Sequence, residues 1–432
     1  MLLIYTHHIT PRLTFIVEYL FLDVAKVHFK LTENKLEYEA YQGPKISYTQ
    51  QIELQGAWLY ASNLLFETNL NHVLPSTAET IWGKALFKSP SPQSLAPFDV
   101  FAACFWLVSR YEEYTIEQKD KHDRFDYHYS WLFKNKLLQT PLVNLWTDKL
   151  LNQLKWLFPN LEIAKSKYHS IFTFDIDNLF AFKGKKLIHS VLAIGNAIIK
   201  KRFDLVTLRW QYLTKKIKDP YDTYTYIINQ CAKFQHKPIF FILTGKTSQY
   251  DRNLKSKHPL FIKTVKELNS SSMIGLHLSY NSELKKTIKL EKETLEHIIN
   301  KKIEHNRFHF LRFNIPYSYV SLSENNILYD FSMGYTQADG YRAGTCTPFY
   351  FFDLINNTKT NVKIYPFPFM DRTWLINKLS PESALIKSIH YIEEIKKYNG
   401  TFVSLWHNET LQDNIYGQPW KEIFEKILDA AK

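Results

Sequence analysis

Apolar and polar residues alternate through Phe172-Thr173-Phe174-Asp175-Ile176-Asp177-Asn178. Such a period of two predicts a strand with Phe172, Phe174 and Ile176 on one face and Thr173, Asp175 and Asp177 on the other. Further strands are predicted at 239–243, closed by Gly245, at 273–277, at 308–311 and at 401–406. Helical patterns separate them. They cover about 187–202, a segment opened by Asp222 and running to 234, 259–268 and 286–299. One more begins at Ser380-Pro381-Glu382, carries the stripe Leu385, Ile389, Ile392 and Ile395, and stops at Gly400. The proline-rich 364–368 is expected at an edge or in a connection. Strands alternating with helices predict an α/β protein with a parallel sheet or barrel, whose functional residues lie at the carboxyl ends of the strands.

The first part of the chain has a different texture. A strand at 2–5 precedes Thr10-Pro11, an N-cap with proline in the first turn, and an amphipathic helix to about Val24. A short β segment is expected at 45–48. Residues 97–114 are apolar nearly all round until Arg110-Tyr111-Glu112-Glu113-Tyr114, predicting a buried helix with a charged end that pairs with neighbouring loops. The polar stretch holding Asp120, His122, Asp123, Arg124 and His128 reads as a structural loop. The pattern breaks at Phe158-Pro159-Asn160, and Lys165-Ser166-Lys167 is the expected boundary between a smaller α/β domain, 1–165, and a second domain, 166–432.

Composition narrows the class. A chain of 432 residues with 45% apolar and 16% aromatic residues can fill two cores. Its formal charge of +12 comes from scattered lysines, which predicts a basic surface rather than a nucleic-acid footprint. Cys104, Cys231 and Cys346 are far apart, form no CxxC pair and suit a reducing compartment. The start of the chain lacks a secretory pattern, and the most apolar run, 98–108, is too short to cross a bilayer. The expectation is a soluble cytoplasmic protein with no transmembrane segment and no nucleic-acid partner.

The candidate chemistry lies at the predicted strand ends: Asp175 and Asp177, His277, Arg307 with His309, and His407. Two close carboxylates stay ionised only if a metal, a basic group or a shared proton offsets them. A lone histidine is more often a satisfied core residue than a ligand. Imidazoles and carboxylates recurring at several strand ends instead make a metal-site inventory, of a kind that suits zinc with positions left open for water and substrate.

On these residues the segment from about Tyr168 to Lys432 resembles the polysaccharide deacetylase, or NodB-homology, superfamily of carbohydrate esterases. Phe172-Thr173-Phe174-Asp175-Ile176-Asp177 is similar to its first motif, with an isoleucine separating a usually adjacent aspartate pair. Ile274-Gly275-Leu276-His277-Leu278-Ser279-Tyr280-Asn281 resembles the second, with Asn281 where a second histidine belongs. Leu311-Arg312-Phe313-Asn314-Ile315-Pro316-Tyr317 is similar to the Arg/Pro motif, and Ser404-Leu405-Trp406-His407-Asn408 to the closing Leu-x-His motif. Pro97-Phe98-Asp99, the 109–114 stretch, 307–311, 339–345 and 406–408 look like a Bacteroidetes-type subgroup with its own amino-terminal domain of unknown function. The resemblance implies a distorted (β/α) barrel of the NodB type, Asp175 as general base, Asp177 and His277 as metal ligands and His407 as general acid. The third ligand is open between Asn281, through its amide oxygen, and His309, preferred because imidazole is the better donor for zinc.

The expected function is a divalent-metal-dependent hydrolase, with Zn²⁺ as the ion, that removes an acetyl group from an N-acetylated sugar or glycan. Arg307, Arg312 and Arg342 are the candidates for positioning substrate, Arg342 for its Gly-flanked loop, which also suits it to hold Asp175 ionised. Two rivals remain. Asp-x-Asp at a strand end also holds manganese in nucleotide-sugar glycosyltransferases, and a non-catalytic sugar-binding module needs no metal at all.

Overall fold

The computed structural model describes the chain except for residues 73, 165, 186–194, 196–198, 200–202, 283–284 and 415–416. The helix expected over 187–202 lies largely outside the described residues. The strands, in chain order, are β1 (Leu2–Tyr5), β2 (Phe29–Thr32), β3 (Lys45–Thr49), β4 (Ala57–Tyr60), β5 (Thr77–Thr80), β6 (Gly83–Leu86), β7 (His169–Ile176), β8 (Ile239–Leu243), β9 (Met273–Leu278), β10 (His305–Phe308), β11 (Tyr329–Asp330), β12 (Phe349–Asp353), β13 (Thr358–Ile364) and β14 (Thr401–His407). The protein is mixed α/β. Its residues fall into two compact units: 1–169 with 311–368 and 393–402, and 170–310 with 369–392 and 403–432. Among the described residues no helix is long and apolar enough to cross a membrane.

In the first unit, β2, β1, β3 and β4 make a parallel sheet in that order, and β5 and β6 form an antiparallel hairpin. Thr10 caps the helix Pro11–Glu18 by accepting from the Leu13 amide, and the coil continues as a wider π turn over Tyr19–Val24. The apolar helix Val100–Val108 is buried on every side, as its sequence requires. Its N-cap, Asp99, has no exposed surface, and its carboxylate accepts from the Ala102 amide, the Tyr48 hydroxyl and Ser62. Burial pushes the Asp99 carboxyl up to about 6 against the pull of these donors.

In the second unit β10, β9, β8, β7 and β14 are neighbours in that order, with β10 through β7 all parallel. Parallel strands buried on both faces account for the nearly unbroken apolar runs of β8 and β9. The period-two reading of β7 holds. Phe172, Phe174 and Ile176 are fully buried on one face, while Thr173 and Asp175 on the other both accept from Arg307. Helix Gln418–Ala430 covers the apolar face with Phe424, whose ring lies 5.7 Å from Phe174 and 5.2 Å from Trp406.

Two local expectations are revised. The helix expected to start on an Asp222 cap begins at Tyr224 after Thr223, with no side-chain capping bond. The strand expected over 308–311 lies earlier, at β10, because Phe310 and Leu311 adopt positive φ (60° and 51°) and turn the chain out of the sheet.

Phe424 backs β7, which carries Asp175 and leads into Asp177, so Phe424→Ala should cost about 3–5 kcal/mol of stability through lost burial and a residual cavity. Chemical denaturation monitored by circular dichroism checks this; a loss below about 1 kcal/mol would show that the helix does not brace β7.

Candidate metal and acid-base centre

Register brings the site together. In adjacent parallel strands Asp175 pairs with Phe241, Phe241 with Gly275, Leu243 with His277, and His277 with Arg307. Partners in register face the same side, so these side chains share one face with their i+2 neighbours. Gly275 leaves room for the Phe241 ring, since a Cβ there would come within 2.5 Å of it. The ring in turn lies 4.6 Å beneath the Arg307 guanidinium. Arg307, with no exposed surface, donates from Nη1 to Thr173 Oγ1 at 2.8 Å and to Asp175 Oδ1 at 2.9 Å.

Asp177 follows the end of β7, with its side chain 21% exposed. His277 Nε2 lies 3.2 Å from Asp177 Oδ1 and His309 Nε2 3.5 Å from the same oxygen. One ligand atom from each of the three residues falls within 4.8 Å of the others. The remaining ring nitrogens fix the tautomers. His277 Nδ1 faces the Arg307 carbonyl at 2.8 Å, an acceptor only, so Nδ1 carries a proton. His309 Nδ1 donates to Asp251 Oδ1 at 2.8 Å, and Asp251 also accepts from the Tyr280 amide and the Ser248 hydroxyl.

In neutral imidazoles both Nε2 atoms therefore present bare lone pairs to the Asp177 carboxylate. Acceptors that close need positive charge between them, either a proton on each nitrogen or one divalent cation among the three atoms. The donor set fits a cation: two imidazoles and a carboxylate, each histidine oriented through its other nitrogen by a carbonyl or carboxylate. The electrostatics agree. Burial would raise the Asp177 carboxyl, but His309, His277 and His407 hold it well below the usual carboxylate range. Burial would lower the His309 imidazole, yet Asp177 and Asp251 push it up to about 10.

His407 ends β14 and faces Asp177 Oδ2 across 3.9 Å with its Nε2. Asp371 holds it twice, with Oδ1 2.7 Å from Nδ1 and Oδ2 accepting from the His407 amide at 2.8 Å. Against the lowering effect of burial, Asp371 and then Asp177 raise the His407 imidazole. An imidazole held this way keeps its proton on Nδ1 in the neutral form and can carry a second on Nε2.

The other expected residues have partners of their own. Arg342 grips Glu113 through Nε and Nη2, and Glu113 also accepts from Arg110. Arg312 donates to the His122 carbonyl at 2.9 Å and pairs with Asp123. Both arginines and these partners belong to the first unit. Asn281 is exposed on the turn after β9. Asp251 and Asp371, which orient two of the three histidines, were not anticipated; each lies in a stretch with no motif spacing to single it out.

A family model described as a family of unknown function, DUF7033, matches residues 2–159. No curated protein matches the sequence. Among solved structures, a protein of Mycobacterium smegmatis named as a polysaccharide deacetylase is 14% identical, with 61% of this chain and 85% of that one covered at a TM-score of 0.37. A 4-alpha-glucanotransferase from Thermococcus litoralis is 12% identical over 61% of this chain and 38% of that one, at 0.36. A CE4 family pseudoenzyme from Bacillus anthracis is 10% identical over 62% of each chain, at 0.30. Superpositions this loose assign neither a fold family nor an activity.

If Asp251 orients His309 as a ligand, Asp251→Asn should weaken zinc binding about 10- to 100-fold while leaving the protein folded. Competition against a chromophoric chelator measures it; unchanged affinity would remove His309 from the ligand set.

Proposed function

We propose that the chain is a metal-dependent hydrolase that removes an acetyl group from an N-acetylated sugar or glycan, on a distorted (β/α) barrel of the NodB type. One observation carries this reading: a carboxylate and two tautomer-fixed imidazoles converge beside a second buried carboxylate, Asp175, and a third imidazole, His407. Asp177, His277 and His309 would hold the ion, for which zinc suits the nitrogen-rich donors. When bound, a divalent cation supplies polarisation of the acyl carbonyl and a lowered pKa for water.

The chain's own residues do the rest. Arg307 aims the Asp175 carboxylate, its Nη1 at 2.9 Å from Oδ1. Asp175 takes a proton from the attacking water as its oxygen bonds to the acyl carbon. His407, steadied on Asp371, gives the proton on Nε2 to the nitrogen as the carbon–nitrogen bond breaks, leaving acetate and a free amine. Arg307 thus acts on the base, and substrate positioning is left to other groups. The glycosyltransferase alternative has no use for three imidazoles around its aspartate. The sugar-binding alternative has none for Asp371 gripping His407 at both ring and backbone.

Acetate release from acetylated chito-oligosaccharides tests the proposal. Release should require added zinc after chelator treatment, and Asp175→Asn should lower it about 10²-fold or more while zinc content stays the same. Release indifferent to the chelator or to Asp175→Asn would overturn the mechanism, and sugar transfer from a nucleotide sugar with Mn²⁺ would replace it.

A further inference from the structure

Arg372 is a cation that the proposed hydrolysis does not use, and the chain holds it next to the carboxylate that grips His407. It follows Asp371, the carboxylate that grips His407, and the two open the helix Asp371–Ile376. Its Nη2 donates to Glu409, two residues beyond His407. Glu409 also accepts from Asn178, the residue after Asp177, at 3.2 Å. Arg372 is thereby tied to the segment of the general acid and to that of a metal ligand.

Its hydrogen bonding differs from that of two other paired arginines. Arg342 and Arg124 each spend Nε and Nη2 on a single carboxylate, with side chains 3% and 9% exposed. Arg372 spends only Nη2; among the described residues neither its Nε nor its Nη1 has a hydrogen-bond partner, and its side chain is 34% exposed against 14% for Glu409. Glu409 fixes the guanidinium, and two donor groups stay available to a ligand. A guanidinium fixed in place forms charge-assisted hydrogen bonds that favour carboxylate and phosphate oxygens over hydroxyls.

We infer that Arg372 makes the centre selective for N-acyl sugars bearing an anionic substituent, a carboxylate or a phosphate, close to the acylated position. The inference rests on the sugar-hydrolase reading for its substrate class, and it is tested by binding, which needs no turnover. The zinc-loaded full chain is titrated calorimetrically with N-acetylglucosamine, N-acetylmuramic acid and N-acetylglucosamine 6-phosphate, alongside Arg372→Ala and Arg372→Lys.

At least one anionic sugar should bind about tenfold or more tighter than N-acetylglucosamine. Arg372→Ala should abolish that preference and Arg372→Lys keep part of it. Which anion gains separates carboxylate from phosphate. Equal binding of all three sugars, no binding, or a preference that survives in Arg372→Ala would overturn the inference, the last pointing to the metal itself. Should Arg372→Ala not fold, Arg372→Gln takes its place. Arg372-dependent binding without acetate release would instead leave the inference standing and sink the hydrolase.

Discussion

Two carboxylates one residue apart at the end of a buried strand impose the constraint that the centre answers. Asp175 and Asp177 cannot both be ionised there without compensating charge. At 4 Å and an effective dielectric of 20, a single unit pair is worth about 4 kcal/mol. The compensation is divided. Arg307 neutralises Asp175 from within the sheet, and His277 and His309 face Asp177, with the His277 Nε2 also 3.8 Å from Asp175 Oδ2. The division pairs one carboxylate with a guanidinium while the other joins two imidazoles. The proposed mechanism thereby separates proton acceptance and metal ligation over three residues of chain.

Backbone geometry makes the division possible. Parallel pairing in register sets His277 opposite Arg307, and glycine at 275 lets the Phe241 ring support the guanidinium. The turn after β10 then swings His309 toward Asp177, where a continued strand would have kept it in the sheet. The orienting carboxylates arrive from outside the sheet: Asp251 after β8, and Asp371 at the head of a short helix. Asp175, His277, Arg307 and His407 stand on strands, Asp177 and His309 lie just beyond strand ends, and Asp251 and Asp371 orient imidazoles from outside the sheet.

Much of this is legible in the sequence because the alternation over 172–177 assigns Thr173, Asp175 and Asp177 to one face. Histidines at the ends of apolar runs were legible for the same reason. The exact exit of His309 was not, since nothing in His309-Phe310-Leu311 marks two successive positive-φ residues; glycine or asparagine would have. Asp251 and Asp371 were not legible because an aspartate in a loop or at a helix start looks like any turn or capping residue until its histidine is located. Arg312 and Arg342 drew attention through their motifs. Their carboxylate partners, Asp123 and Glu113, lie some two hundred residues earlier in sequence, at a separation that no local pattern encodes.

Anomalous diffraction at the zinc edge from crystals grown with equimolar zinc is the most direct measurement of whether one cation reconciles these groups. The account predicts a single strong peak within bonding distance of an Asp177 oxygen and the Nε2 atoms of His277 and His309, at about 2.0–2.2 Å from each. A peak bound to other residues, or none with the three side chains well ordered, would contradict it.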